Sequence, residues 1–446
     1  MKKFVLLILL LFLFYGSAYA GERVSLSGYV KNETSLRVEG LNNDLSKFKN
    51  IVELAGEYKI KDDLVFFAKA KYWYDAAYDF RDKMDKQQHY MGHIQRTDWL
   101  RDCYLDYTKG PWFLRLGKQQ VAWGQADGIT ILDRVNPIDL TEYWLPDFVD
   151  LRIPLWMANI NYSPKLNSNL QLLIIPDFEQ STSAPAYAPF AFRSVNLFEN
   201  ANKLAHWSLG VDTFFPGKQF DNSTFALQWQ DRIGDLDYTL NYLYGYYYSA
   251  RLVGLTSTYY VRSFKVWRMY GGSFNKTFTN PGPLQGVTLR GDFAYYNDEP
   301  TYYGLDTSRK GFERWNNIFW LIGADKYVVT NWLVSFQFAQ YIMEHAKPHI
   351  LNYQPLNAYT YGPQDQVENI FTLKISTDFM HERLKPEILW SFTDDNQGKV
   401  SPKVTYELKD NIWLTAGIHY FYGNEQDSNG QFRDNSQFYT QIKYTF

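Results

Sequence analysis

Positions 52–60 read Val52-Glu53-Leu54-Ala55-Gly56-Glu57-Tyr58-Lys59-Ile60. Apolar and polar side chains alternate with a period of two, which a strand places on opposite faces. Val52, Leu54, Gly56, Tyr58 and Ile60 share one face, and Glu53, Ala55, Glu57 and Lys59 share the other. Such a ribbon lies between two different surroundings. In a soluble sandwich the polar face meets water and the apolar face meets a second sheet. In a transmembrane barrel the apolar face meets lipid and the polar face lines a wet interior.

The rest of the chain decides between the two. The same alternation recurs at 112–118, 236–249, 286–297 and 331–345, and about 18 such stretches run from 24–38 to 435–446. The count falls to 16 if two weak stretches are misread. Short breaks such as Lys109-Gly110 and Lys409-Asp410-Asn411 alternate with long ones at 76–98, 119–154, 177–221 and 346–366. Short turns on one rim and long loops on the other describe an all-β transmembrane antiparallel barrel with long extracellular loops. His206–Phe215 is assigned to a long loop, because a further strand would break the even count that puts both termini on one side.

Composition agrees. Of 446 residues, 14 are Trp, 36 Tyr and 32 Phe. Clusters such as Tyr72-Trp73-Tyr74 and Tyr246-Tyr247-Tyr248 fall near strand ends, where a membrane interface favours an amphipathic ring. No internal apolar run reaches the roughly 20 residues of a membrane helix. A formal charge of −3 argues against a nucleic-acid partner. Cys103 is the single cysteine, so no internal disulfide exists. Residues 1–20 read as a secretory signal peptide: Lys2-Lys3, an apolar run over 4–15, then Ala18-Tyr19-Ala20. Residues 21–446 are then one barrel, expected in the outer membrane of a Gram-negative cell. Phe438, Thr440, Ile442, Tyr444 and the terminal Phe446 share a face, resembling the C-terminal signal that barrel-assembly machinery reads. The partners expected are the lipid bilayer, lipopolysaccharide, that machinery and a small solute, with no cofactor.

A Lys or Arg facing lipid at mid-membrane costs about 2–4 kcal/mol, so charged strand positions should face inward. Glu53, Lys71, Asp106 and Arg115 are therefore lumen residues, and a hairpin turning at Lys61-Asp62-Asp63 sets Glu53 opposite Lys71. Segment 119–154 is unusually apolar for an exposed loop, carrying Ile129, Ile131, Leu132, Val135, Ile138 and Leu140. It is expected to fold toward the lumen and hold Trp123, Gln125, Asp127, Asp133, Arg134, Asn136, Asp139 and Arg152 at a pore constriction. Asp139 is expected to cap a short helix or pair with Arg152. A purely structural plug is an equal reading of the same segment.

Leu116-Gly117-Lys118-Gln119, Trp123-Gly124-Gln125, Asn136-Pro137-Ile138-Asp139-Leu140 and Arg152-Ile153-Pro154 are similar to the signature of a large porin-like family of Gram-negative outer-membrane barrels catalogued only as a domain of unknown function. The resemblance is specific over 114–162 and looser elsewhere. It implies an outer-membrane β-barrel, associated in some members with hydrophobic-compound metabolism, and carries over no site residues. The layout is also distantly similar to alginate-export porins, without the basic lumen expected for that polyanion.

The function expected is a channel for diffusion or facilitated uptake of a small solute, weakly polar or hydrophobic. The alternative is a non-conducting outer-membrane scaffold or surface-binding barrel. An enzyme is not expected: His206-Trp207-Ser208 has the H-x-S spacing of outer-membrane phospholipase but lies in a loop of a much longer chain. His89 with His93, and His345 with His349, have a helical metal-ligand spacing. Gly92 and Pro348 disfavour those helices, so no metal site is expected.

Overall fold

The structure is a computed structural model that describes residues 23–38, 45–80, 99–185, 188–192, 210–255, 259–302, 312–344, 366–425 and 427–446. In chain order its strands are β1 (Val24–Arg37), β2 (Leu45–Lys61), β3 (Leu64–Asp75), β4 (Leu100–Lys109), β5 (Trp112–Gln119), β6 (Asp139–Leu140), β7 (Leu155–Lys165), β8 (Ser168–Ile175), β9 (Thr182–Ser183), β10 (Gly210–Phe214), β11 (Thr224–Ile233) and β12 (Leu236–Tyr246). They continue as β13 (Arg251–Leu255), β14 (Tyr259–Ser263), β15 (Val266–Thr277), β16 (Val287–Tyr302), β17 (Phe312–Val329), β18 (Trp332–Ile342), β19 (Val367–Ser376), β20 (Leu384–Thr393), β21 (Gly398–Lys409), β22 (Ile412–Tyr422) and β23 (Gln437–Thr445).

Eighteen of these form one antiparallel sheet in which each strand pairs with the next, and β23 pairs back onto β1. The register at the seam sets Val30 against Val52 on one side and Tyr444 on the other. Closure removes every edge, which a spanning sheet requires because lipid cannot hydrogen-bond exposed backbone. The last residue completes it: Phe446 and Gly28 exchange both backbone hydrogen bonds at 3.0 Å. A Cβ on Gly28 would stand 2.8 Å from the Phe446 ring, so glycine makes room for the terminal aromatic.

The alternation sorts the faces as charge requires. Leu26, Leu54, Tyr72, Leu116, Leu240, Phe293, Ile322 and Ile442 are exposed on the outside. Lys71, Asp102, Arg290, Asp292 and Gln337 are buried on the inside. Glu53 lies opposite Lys71, with Asp62 and Asp63 forming the turn. Asp106 lies opposite Arg115, whose Nε and Nη2 donate to its two carboxylate oxygens at 2.7 and 2.8 Å. Two-residue turns such as Gly110-Pro111 and Gly234-Asp235 close one rim, while the opposite rim carries the connections 120–154 and 176–223.

Two expectations need correction. Residues 210–214 of the expected loop 206–215 do form a strand, but β10 pairs in parallel with β14 in a separate three-stranded sheet with β13, so the barrel count is unchanged. Residues 247–249, expected as the end of the stretch 236–249, lie outside barrel strand β12.

Candidate functional site

Segment 120–154 leaves β5 and returns at β7, and its side chains meet the inner face of the wall. Val121, Trp123, Ile131, Leu132 and Val135 are buried in one cluster with Met157, Leu173, Ala226, Leu243, Met269, Ala294, Leu321 and Ala339. These wall positions, on β7, β8, β11, β12 and β15–β18, are inward-facing yet apolar. They complement the segment: a Cβ on Gly271 would collide with Leu132. Each large side chain so buried contributes roughly 1.5–3 kcal/mol.

Backbone polar groups taken into this half need partners. The Asp292 carboxylate accepts from the amide of Gln125 at 2.8 Å and of Ala126 at 3.0 Å. Gly124 permits that approach, since it takes φ +96° and a Cβ there would stand 2.6 Å from the carboxylate. Gln337 accepts from the Asp127 amide at 2.9 Å and donates to the Asp127 carbonyl at 2.8 Å. Arg290 donates to the Gln125 carbonyl and pairs with Asp325 at 2.8 Å. The hydroxyls of Tyr296 and Tyr248 donate to the carbonyls of Ile131 and Val135, both at 2.8 Å. Asn136 joins the two ends of the segment, accepting from the Val121 amide at 2.8 Å and donating to the Ile153 carbonyl at 2.9 Å.

The residues expected at a constriction therefore divide. Asp127, Arg134 and Asp139 line the open cavity described below. Trp123, Gln125, Asp133, Asn136 and Arg152 hold the segment in place: Trp123 Nε1 donates to Gln171 at 2.8 Å, Asn275 donates to the Gln125 side chain at 3.3 Å, and Asp133 pairs with Arg152 at 2.7 Å. Asp139 neither caps the helical turn Phe148–Leu151 nor pairs with Arg152. It accepts from the Thr141 amide and hydroxyl and from Thr182 at 2.7–3.0 Å, and the turn's N-cap is Asp147. Buried Arg101, overlooked in the sequence, donates to the carbonyls of Val149 and Arg152 at the end of that turn.

The other half of the lumen is open. A cavity of about 720 Å³ lies between the segment and strands β1–β3 and β19–β23. The wall contributes Lys31, Lys47, Lys49, Lys71, Lys374, Lys399 and Lys403, and the segment contributes Asp127, Asp139, Glu142, Asp147 and Asp150. Lys47 and Lys49 converge on Glu142, the second at 2.6 Å, and Lys71 pairs with Asp150. Burial pushes the Glu142 carboxyl up, but Lys47 and Lys49 outweigh it and hold it down to about 2. Burial likewise raises Asp150, and Lys71 more than reverses that. Ile51, Trp73, Trp144, Phe148 and Tyr439 supply an apolar share of the lining. Over the cavity Tyr143 packs on Phe432 with ring centroids 4.5 Å apart, anchoring the segment to the β22–β23 connection. Lys47 and Lys49 precede the alternating stretch 52–60 quoted from the sequence, but β2 begins at Leu45, so 47, 49, 51 and 53 share one face. His89, His93, His206, Ser208, His345 and His349 lie outside the described residues.

Residues 40–446 match the model of a family described as protein of unknown function (DUF1302). No curated protein matches the sequence. Among solved structures, Acinetobacter baumannii OccAB4 is similar at TM-score 0.53 and 12% identity over 96% of this chain and 99% of its own. Pseudomonas aeruginosa OccK3 (OpdO) gives 0.53 and 10%, covering 95% of both chains, and OccK5 (OpdH) of the same organism gives 0.52 and 11%, covering 95% and 98%. At such identities the likeness establishes a shared fold.

Proposed function

We propose that this chain, which belongs to the DUF1302 family, is an outer-membrane channel for diffusion of a small solute, narrowed by segment 120–154. The observation that carries the reading is the division of the lumen, one half filled by the segment and the other left as a cavity of about 720 Å³. The exposed apolar side chains around the wall support a bilayer setting. In that setting residues 1–20 act as the leader, and lipopolysaccharide and the assembly machinery are the partners of the outer face and of the C-terminal strand. Ion pairs beside Trp73, Trp144, Phe148 and Tyr439 suit a solute with a polar group on a hydrophobic body.

The test is planar-bilayer recording with the purified full chain, before and after Asp292→Ala combined with Gln337→Ala, which removes the side chains that accept from the amides of residues 125–127. Discrete conductance that becomes larger and noisier in the variant is expected. A barrel silent in both forms overturns transport. The second reading, a non-conducting scaffold, is favoured by the dry packing around Leu132, and it requires that liposomes containing the protein admit no sugar of any size.

A further inference from the structure

We propose that the cavity contains a carboxylate-binding subsite at Lys399, fitted to an amphiphilic monocarboxylate; the proposal rests on the channel reading above. Six of the seven wall lysines at the cavity have an acidic partner within 4.0 Å: Lys31 has Glu33, Lys47 and Lys49 have Glu142, Lys71 has Asp150, and Lys374 and Lys403 share Glu387. Among the described residues Lys399 has none. Its Nζ donates to the Trp144 carbonyl at 2.8 Å, which satisfies one of three N–H groups and no charge.

Hydroxyl-bearing residues line the cavity on the strands beside this cation. Ser391 faces Lys399 in register across β20 and β21. Thr393, the next inward position on β20, also lines the cavity, its Oγ1 buried and without a partner among the described residues. Ser401 follows Lys399 on the inner face of β21, its Oγ 3.0 Å from His419 Nδ1. One uncompensated positive charge matches one carboxylate, whose two oxygens can take the ammonium and hydroxyl donors together. The Trp144, Leu389 and Tyr439 side chains on the same cavity receive the apolar body. Glu368, inward on β19 and lining the same cavity with no cationic partner among the described residues, opposes an anion and supplies a contrary variant.

Isothermal titration of the full chain in detergent would use 3-phenylpropionate, with 3-phenylpropanol and 3-phenylpropylamine as the neutral and cationic forms of the same body. The acid should bind and the other two should be at least tenfold weaker. Lys399→Gln, with folding checked by heat-modifiable migration on a gel, should weaken the acid at least tenfold, and Glu368→Gln should strengthen it. Equal affinity for acid and amine, or no change in K399Q, overturns the subsite. So does chloride alone showing the Lys399 dependence. Titration reads binding whether or not the barrel conducts, so a silent bilayer removes the channel reading while the subsite result stands by itself.

Discussion

The two halves of the lumen are built from the same alternation and end in opposite states. Along β7, β8, β11, β12 and β15–β18 the inward positions over which the segment lies include Met157, Leu173, Ala226, Leu243, Met269, Ala294, Leu321 and Ala339, and Ile131, Leu132 and Val135 are buried against them. Along β1–β3 and β19–β23 the inward positions carry seven lysines together with Glu33, Glu368 and Glu387, and the segment adds further carboxylates across a space of about 720 Å³. Dry packing fixes position through shape, since cores tolerate little change of volume. Ion pairs at a wet wall fix charge but leave room. One half is therefore an anchor and the other, on the channel reading, a passage, and the contrast weakens if both respond alike to substitution.

The largest effect is expected in the anchor. Leu132 is fully buried, and Leu132→Asp places a carboxylate among apolar side chains at a cost of several kcal/mol. The segment should leave the wall, conductance should rise severalfold, and a protease should cut within 120–154. Unchanged conductance and unchanged cleavage would show that the dry half does not hold the segment. Asp292→Ala follows: it strips the acceptor from the Gln125 and Ala126 amides, at roughly 1–3 kcal/mol for each group left unsatisfied. Asp292→Asn keeps one acceptor oxygen and should fall between Ala and the native chain in thermal unfolding followed by heat-modifiable migration.

How much of this was legible follows from what each feature depends on. The barrel strands were readable because alternation, charge and turn residues act locally, as Glu53 opposite Lys71 and Asp106 opposite Arg115 illustrate. The apolar character of 129–135 announced a segment that buries itself. The partition of its polar residues was not legible: whether Arg152 meets Asp133 or Asp139 depends on the path of the chain between them. Nor was it legible that Asp292 and Gln337 would spend their side chains on the backbone of residues 125–127, more than 160 positions away in sequence. Strand β10 satisfied the local rule for a strand, and only its pairing with β14 kept it out of the wall.

The passage should answer to pH through Glu142. Glu142 is held down to about 2, below its ordinary value of 4.5, so its contribution is complete above pH 4.5 and is lost as pH falls through about 2. Protonation there leaves Lys47 and Lys49 without their shared partner. Zero-current potentials in a salt gradient should move toward anion selectivity as pH drops from 4.5 to 2. Glu142→Gln should already lie in that direction at pH 7 and respond less to acid. A variant that tracks the native curve would detach the effect from Glu142.

The smallest change is expected at Arg115, which pairs with Asp106 on β4 and β5 and lines neither the dry cluster nor the cavity. It makes two parallel hydrogen bonds to Asp106 and lies 3.8 Å from the Tyr104 ring centroid. Arg115→Lys keeps the charge but gives up the planar fork and the stacking. Side chains this accessible to water usually contribute about 1 kcal/mol or less through such a pair. Thermal unfolding should shift slightly, with conductance and selectivity unmoved. That value is the baseline for a wall ion pair with no segment against it, so any larger loss at Glu142 measures what facing the segment adds. If R115K costs as much as L132D, stability resides in the strand wall itself, and the division between anchor and passage has no energetic meaning.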